Sequence, residues 1–438
     1  MESSSFDVLI LGAGAAGLAA ATELAEAGRS ALVLEARDRI GGRCWSHQAP
    51  GLPVPIELGA EFIHGRPAAT ISLLRKAGMA AVDAPRNPWM VRRGKLEPRD
   101  NFFAEIQAAM RKPRLLEEGD ASFDAFLARE LRPRISENAL ALARMLVEGY
   151  DAADPARASA RAIVEEWTNE GAGTLLSRPL GGYGALLAFL ADGLAGSKVE
   201  IRLQTIVRAV RWQGGMVEME GTSLGKAFHA AASRAIITLP LGVLQLPPGA
   251  PGAVRFTPAL KEKKAALKGL AAGPVIKVAL RFRSAFWEAL DKGRYRDATF
   301  FHSPRAVFRT FWTALPVRVP LLIAWSGGPN AARLSGAATP DIVRQALASL
   351  QSVFGKRARS GAQLTAAHLH DWQQDPFARG AYGYVTVGGD RAREALAANL
   401  KETLYFAGEA TDLEGEAGTV AGALQSGRRA ARELMGKI

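Results

Sequence analysis

FDVLILGAGAAGLAAATELAEAGRSALVLE, residues 6–35, sets out one folding unit part by part. Phe6, Val8, Leu9, Ile10 and Leu11 form an apolar run of strand length. Gly12, Gly14 and Gly17 follow at once in G-x-G-x-x-G spacing. The Ala-rich segment from Ala15 to Ala27 has helix-forming composition and stops at Gly28. Ala31 to Leu34 predicts a second strand, which closes on Glu35. Each part has a physical task. Gly12 permits the tight turn, Gly14 lets backbone approach a pyrophosphate, and Gly17 lets the helix pack on the strand. The helix N-terminus offers free N–H groups and partial positive charge to phosphate. Glu35 accepts hydrogen bonds from a ribose diol. A lone G-x-G-x-x-G arises by chance in an Ala/Gly-rich chain. Strand, glycines, helix, strand and acid in this order point to a dinucleotide, NAD and FAD alike.

At 438 residues the chain exceeds one ordinary core, and two domains of mixed class are expected. Mean hydropathy is near zero, and no run approaches the ~18 apolar residues of a membrane span. The N-terminus, MESSSFDVLIL, has no basic n-region and leads straight into the glycine motif. It therefore reads as a strand rather than a signal peptide, and a cytoplasmic location is expected. Cys44 is the single cysteine, which excludes an internal disulfide and a cysteine-based metal site. The six histidines show no metal spacing, so no metal is expected. The net charge of +12 raises nucleic acid or an anionic surface as partners. Basic residues are spread along the chain, however, with only short clusters such as Arg111-Lys112-Pro113-Arg114. No RNA-binding aromatic signature accompanies them, and no nucleic-acid partner is expected.

Ala36-Arg37, Gly41-Gly42-Arg43 and Ile56-Glu57-Leu58-Gly59-Ala60-Glu61-Phe62-Ile63-His64-Gly65 follow the opening unit. Arg43 suits a second pyrophosphate contact. From about residue 82 prolines break the chain, and 101–111, 121–131 and 137–149 read as helices by apolar spacing. ARAIVEEWTNEG, residues 160–171, sets Glu165, Glu166 and Glu170 around Trp167. An acidic helix end is ordinarily a solvated face; in an enzyme for a cation it steers or anchors an ammonium. A Gly-rich turn at 179–184 opens a helix over 185–194, and 198–203, 206–210 and 216–220 read as strands. Lys277 then interrupts Pro274-Val275-Ile276-Lys277-Val278-Ala279-Leu280-Arg281-Phe282, an otherwise apolar strand. A buried ammonium is costly without partners. Most strand lysines lie on edges or surfaces, and this strand alone leaves both placements open. A helix over 339–354 and a strand over 364–371 precede the C-terminal motifs.

The glycine unit, Glu35-Ala36-Arg37, Gly41-Gly42-Arg43 and E-L-G-A-x-F-I-H-G together resemble the flavin-dependent amine oxidases. That family includes monoamine oxidases, polyamine oxidases and flavin histone demethylases. The form at 57–65 is most similar to the polyamine oxidase and demethylase branches. The resemblance continues in order through Thr238-x-Pro240-x-x-x-Leu244, K-V-x-L-x-F from Lys277, Phe286-Trp287, and W-x-x-D-P-x-x-x-G-x-Y from Trp372 to Tyr382. It ends on Gly408-Glu409 and the G-T-V-A-G of Gly418 to Gly422, and so covers essentially the whole chain.

The resemblance implies FAD and a GR2-type flavoprotein fold of α/β class. A Rossmann-like FAD-binding domain would comprise 1–81, 197–272 and 385–438. A mixed-sheet plus helical substrate domain would comprise 82–196 and 273–384. Implied cofactor contacts are Gly12, Gly14, Ala15, Ala16, Gly17, Glu35, Ala36, Arg37, Gly42 and Arg43, then Gly59, Ala60 and Glu61. Val207 at the adenine, Thr238, Trp372, Gly408, Glu409, Thr419, Val420 and Ala423 complete them. Lys277 would hydrogen-bond a water at flavin N5, and Tyr382 would form one wall of an aromatic cage. Thr419 stands at the other wall, so the cage is half open, as in the demethylase branch, and admits a bulkier amine. Ala381 stands where covalent monoamine oxidases carry Cys, which implies non-covalent FAD. Phe62 stands where L-amino acid oxidases usually hold a substrate carboxylate with Arg, and Glu61 adds the opposite charge. His64 fits a histidine near the polyamine oxidase tunnel, or is a loop histidine with a structural hydrogen bond. Expected substrate contacts are Glu61, His64, Tyr382, Thr419, Glu166 and Glu170.

By the same resemblance the reaction is amine oxidation. Hydride passes from the carbon beside nitrogen to flavin N5, the imine hydrolyses to aldehyde or ketone plus amine, and O2 becomes H2O2. The partners are O2 and a small amine, whether polyamine, monoamine or diamine, acting on a monomer or homodimer. The alternatives are an L-amino acid oxidase or an FAD-dependent desaturase or dehydrogenase of the same fold. A non-catalytic flavoprotein binding nucleic acid is motivated by charge alone.

Overall fold

A parallel sheet of five short strands stands at the centre of the nucleotide-side half. Its order in space is Val199–Arg202, Ala31–Leu34, Val8–Leu11, Arg234–Ile237 and Leu404–Phe406. The computed structural model describes residues 6–98, 102–111, 113–117, 119–168, 175–358 and 360–436. VLIL and ALVL are buried at every position because both faces of this sheet are covered, as continuous apolar runs require. On one face lie the helix Ala15–Glu26 and the C-terminal helix Val420–Leu434. The two approach closely: a Cβ added at Gly427 would lie 2.1 Å from the Ala16 carbonyl oxygen. Gly17 is equally confined, since its Cβ would meet the Gly12 carbonyl oxygen at 1.9 Å. On the other face a four-stranded sheet, ordered Lys226–Ala232, Met216–Ser223, Thr205–Gln213 and Arg255–Thr257, packs Val210, Trp212 and Met219 against Leu9 and Leu34.

The second half is built on a seven-stranded sheet ordered Leu364–Asp371, Val275–Phe282, Leu321–Gly327, Thr310–Thr313, Phe300–His302, Pro88–Arg92 and Lys95–Pro98. Val275–Phe282 therefore has a neighbour on each side, and Lys277 sits opposite Trp325 on one and His370 on the other. The edge placement left open by the sequence is excluded. A helical cluster of Phe102–Met110, Phe123–Phe126, Glu137–Gly149 and Ala160–Thr168 has its own apolar core around Phe123, Phe126 and Trp167. The helix expected over 121–131 is shorter at Phe123–Phe126 and continues as a wider turn, Leu127–Leu131.

Candidate active site

One cavity of about 1700 Å³ runs between these parts. Ligand pockets commonly occupy about 300–1,000 Å³, so it has room for a cofactor and a second ligand. Its nucleotide end is the glycine turn. Gly12 has φ +112°, open to glycine and strained for other residues. Gly14 is the N-cap of Ala15–Glu26, and nothing lies within 4 Å of where its Cβ would be. Backbone can therefore be approached there by a phosphate. Glu35 is buried at the end of its strand, with Oε2 accepting from Ala13 N and Oε1 from Arg37 N, both at 2.9 Å. Arg37 donates two bonds of 2.8 Å to Asp375, joining the E-A-R segment to W-x-x-D-P. Arg43 donates to Glu409 Oε1 at 2.8 Å and to the Ala381 carbonyl at 2.5 Å. Thr238 donates to the Leu11 carbonyl at 2.8 Å, and Trp372 to the Leu58 carbonyl at 2.9 Å.

The C-terminal helix also begins at this cavity. Thr419 is its N-cap, accepting from Gly422 N at 3.1 Å and donating to the Glu416 carbonyl at 2.7 Å. The helix N-terminus thus presents partial positive charge beside the lining residues Val420 and Ala423. Tyr382 lies across from Gly418, where an added Cβ would be 3.5 Å from Tyr382 Cδ2. Its hydroxyl donates to the Tyr150 carbonyl at 2.5 Å, and the Tyr150 ring meets His64 edge-on at 5.4 Å. Burial, then the charges of Asp151 and Glu166 and the nearby Tyr150, push the Tyr382 hydroxyl well above its ordinary value. Burial likewise brings His64 down to about 4, so it is neutral near pH 7. Its Nδ1 is buried without a hydrogen-bond partner.

Lys277 is 2% exposed and still lines the cavity. Its Nζ donates to Glu61 Oε2 at 2.7 Å and to the Gly59 carbonyl at 3.1 Å, engaging two of its three N–H groups. Burial raises the Glu61 carboxyl, but the charges of Lys277 and Arg178 outweigh it and hold the group at about 2. Glu61 was expected to contact substrate; the structure commits its oxygens to protein donors instead. Gly17, expected at the cofactor, faces the Gly12 backbone and is absent from the cavity wall, so its part is to let helix and strand approach. Glu170 lies outside the described residues. The remaining expected residues line this one cavity.

Asp151, Tyr150 and Arg393 were not anticipated. Asp151 is 8% exposed, lines the cavity, and has Oδ2 without a partner. Burial and then the nearby Glu166 charge raise its carboxyl well above the ordinary range, while the Trp167 N–H and Arg393 oppose this. Glu166 is exposed on its helix and lines the cavity, where partial enclosure raises its carboxyl, opposed by Arg393. Among the described residues no group of His, Cys, Asp and Glu is arranged for a metal ion, and no helix is long and apolar enough to cross a membrane.

The family profile described as "Flavin containing amine oxidoreductase" matches residues 15–435. The chain belongs to that family. It is 29% identical to human "Lysine-specific histone demethylase 2" over 98% of this chain and 53% of that protein. The chain thus spans about half the length of that demethylase. It is 28% identical to "Polyamine oxidase 2" of Arabidopsis thaliana, covering all of this chain and 90% of the other. Solved structures of a putrescine oxidase bound to putrescine and of cyclohexylamine oxidase from Brevibacterium oxydans IH-35A superpose with TM-scores of 0.78 and 0.79. Each is 23% identical, with 99% of both chains covered, and these likenesses speak to fold. The amine oxidoreductase fold expected from the motifs is the one observed.

Proposed function

We propose that this amine oxidoreductase binds FAD non-covalently and oxidises a cationic amine with oxygen as acceptor. The observation that carries this reading is one cavity lined by Gly14 and Glu35, by Lys277 and Tyr382, and by Asp151 and Glu166. When bound, FAD supplies the hydride acceptor at N5 and passes the electrons to oxygen as hydrogen peroxide. The open backbone at Gly14 and the helix N-terminus behind it would hold the pyrophosphate, with Glu35 at the ribose and Val207 at the adenine. The helix capped by Thr419 would direct its positive end to the flavin ring. Lys277 has one N–H left to hold a water at the cavity wall. Tyr382, its hydroxyl anchored on Tyr150, would orient the amine carbon. The unpartnered oxygen of Asp151, beside Glu166, would accept from an ammonium.

Two features support non-covalent attachment. Ala381 carries no nucleophile, and burial pushes the Cys44 thiol up to about 12, far from reactivity. We keep the domain division at 1–81, 197–272 and 385–438 against 82–196 and 273–384. It is supported by the parallel sheet drawing strands from the first three segments and the seven-stranded sheet from the other two.

Purified protein should be yellow and release free FAD on acid treatment. A panel of putrescine, spermidine, N-acetylated polyamines, phenylethylamine, amino acids and an N-methylated lysine peptide, read by peroxide, tests the substrate class. Peroxide from the di- and polyamines is the expected result. An FAD-loaded protein that yields none with any amine sinks the reading.

A further inference from the structure

Glu61 is held by donors from three strands. Its Oε1 accepts from Arg178 Nε at 2.8 Å and from the Trp312 indole N–H at 2.9 Å, and its Oε2 from Lys277 Nζ at 2.7 Å. Arg178 is itself committed. It stacks 4.4 Å over Phe62 and donates to the Thr313 and Leu315 carbonyls, each at 3.0 Å. It forms no part of the cavity wall. The loop bearing Glu61 is fixed as well, because a Cβ on Gly59 would lie 1.8 Å from the Arg43 carbonyl oxygen. Two cations around one anion leave a single net positive charge, and the cation that reaches the cavity is Lys277.

We propose that Glu61 is a positioning residue for Lys277. It pins the lysine's Nζ, with two N–H groups bound to protein and the third left for the cavity. A buried cation is costly without an anionic partner, so the carboxylate is what holds Nζ in place inside the seven-stranded sheet. Arg178 and Trp312 hold that carboxylate in turn, leaving it a poor contact for a substrate cation. The pairing stands on its own geometry; its consequence for catalysis rests on the flavin reading above.

Glu61→Gln leaves two cations without an anion, Lys277→Met leaves Arg178 and Glu61 neutralised, and the double variant restores one net charge. In the apoprotein, dimethylation of Lys277 by formaldehyde and borohydride, mapped by mass spectrometry, should run several-fold faster in Glu61→Gln than in wild type, because Nζ is no longer held by its carboxylate partner. In the FAD-loaded enzyme the midpoint potential should rise in Glu61→Gln and fall in Lys277→Met. On the Lys277→Met background, Glu61→Gln should change kcat/KM by less than about twofold. Equal labelling of Lys277 in both proteins overturns the proposal. So does a Glu61→Gln effect that persists undiminished without the lysine, which would make Glu61 a direct substrate contact. Should Glu61→Gln fail to fold, Glu61→Asp keeps the charge but withdraws it by one methylene, and Lys277 should label at an intermediate rate. Failure to bind FAD would refute the flavin reading and leave the labelling result to decide the pairing.

Discussion

Asp151 carries the sharpest residue-scale prediction, because one of its oxygens is buried in the cavity without a partner. Asp151→Ala, which removes the acceptor oxygen, should raise KM for a diamine by about tenfold or more, the loss of one hydrogen bond from an ammonium, and raise it far less for a monoamine that lacks the second ammonium. Initial-rate peroxide assays check this. The pH dependence has a definite sign. Asp151 is buried and raised, first by that burial, so the fold favours its protonated form, and the exposed Glu166 is raised in the same direction. Their cost to stability is absent below the ordinary carboxylate range and grows as pH rises through that range toward their folded values. Asp151→Asn should therefore raise the melting temperature of the apoprotein more at pH 8 than at pH 5. Lys277→Met should slow flavin reduction or reoxidation by well over tenfold, about 1.4 kcal/mol per decade, in anaerobic rapid mixing. Lys277 stood out in the sequence because an ammonium interrupts an apolar strand, but that strand alone left edge and interior open, and only the family resemblance pointed it inward. Asp151 was silent, since a single acid between Tyr150 and Ala152 has no periodicity to break. Arg178 and Trp312 were equally silent, because their role depends on meeting Glu61 from distant strands.

At the scale of elements, the glycine turn and the C-terminal helix are the parts whose local chemistry and tertiary role coincide. Thr419→Ala removes the cap on Val420–Leu434 and should cost about 1 kcal/mol, read as a lower denaturant midpoint. It should also weaken FAD binding, since the same helix end faces the cavity. Gly17→Ala should be far worse, because the new methyl would meet the Gly12 carbonyl; loss of soluble folded protein is the expected result in expression and circular dichroism. These elements could be read in advance because short-range rules decide them. The strand Val8–Leu11 is apolar throughout, and strand Leu364–Asp371 and helix Thr339–Phe354 fall where spacing put them. Lys226–Ala232 was missed because it is a largely exposed edge strand whose inward set, Phe228, Ala230 and Ala232, is mostly small and only half-buried, too weak an alternation to mark a strand. Glu57 shows the limit of motif reading. Its place in E-L-G-A was evident, but not that its carboxylate binds Ser46 and the Tyr183 backbone, clamping the turn into the helix Gly182–Asp192.

For the whole molecule, cofactor and fold should be energetically linked. A ligand that binds only the native state stabilises it by about 2.7 kcal/mol at a hundredfold excess over Kd. Holoprotein should thus melt several degrees above apoprotein, and the gap should widen with added FAD; identical melting curves would contradict the cavity's assignment. The net charge of +12 belongs to this scale too. The interior site gathers acids, Asp151 and Glu166, inside a basic molecule. If a cationic amine binds there as proposed, local contacts hold it against the long-range field of the protein, and added salt should raise kcat/KM for cationic amines by screening that field.

The packing of Val420–Leu434 onto Ala15–Glu26 also sets a schedule. A ribosome emits the glycine turn early and the helix that completes its cradle nearly a chain's length later. At ~5–20 residues per second the interval is on the order of 20–80 s. Throughout that time the small, apolar face of Ala15–Glu26 waits for its partner. On the proposed cofactor site, nascent chains should not retain cofactor as they emerge. A premature stop before residue 420 would release a chain carrying the phosphate turn but unable to close over what it binds.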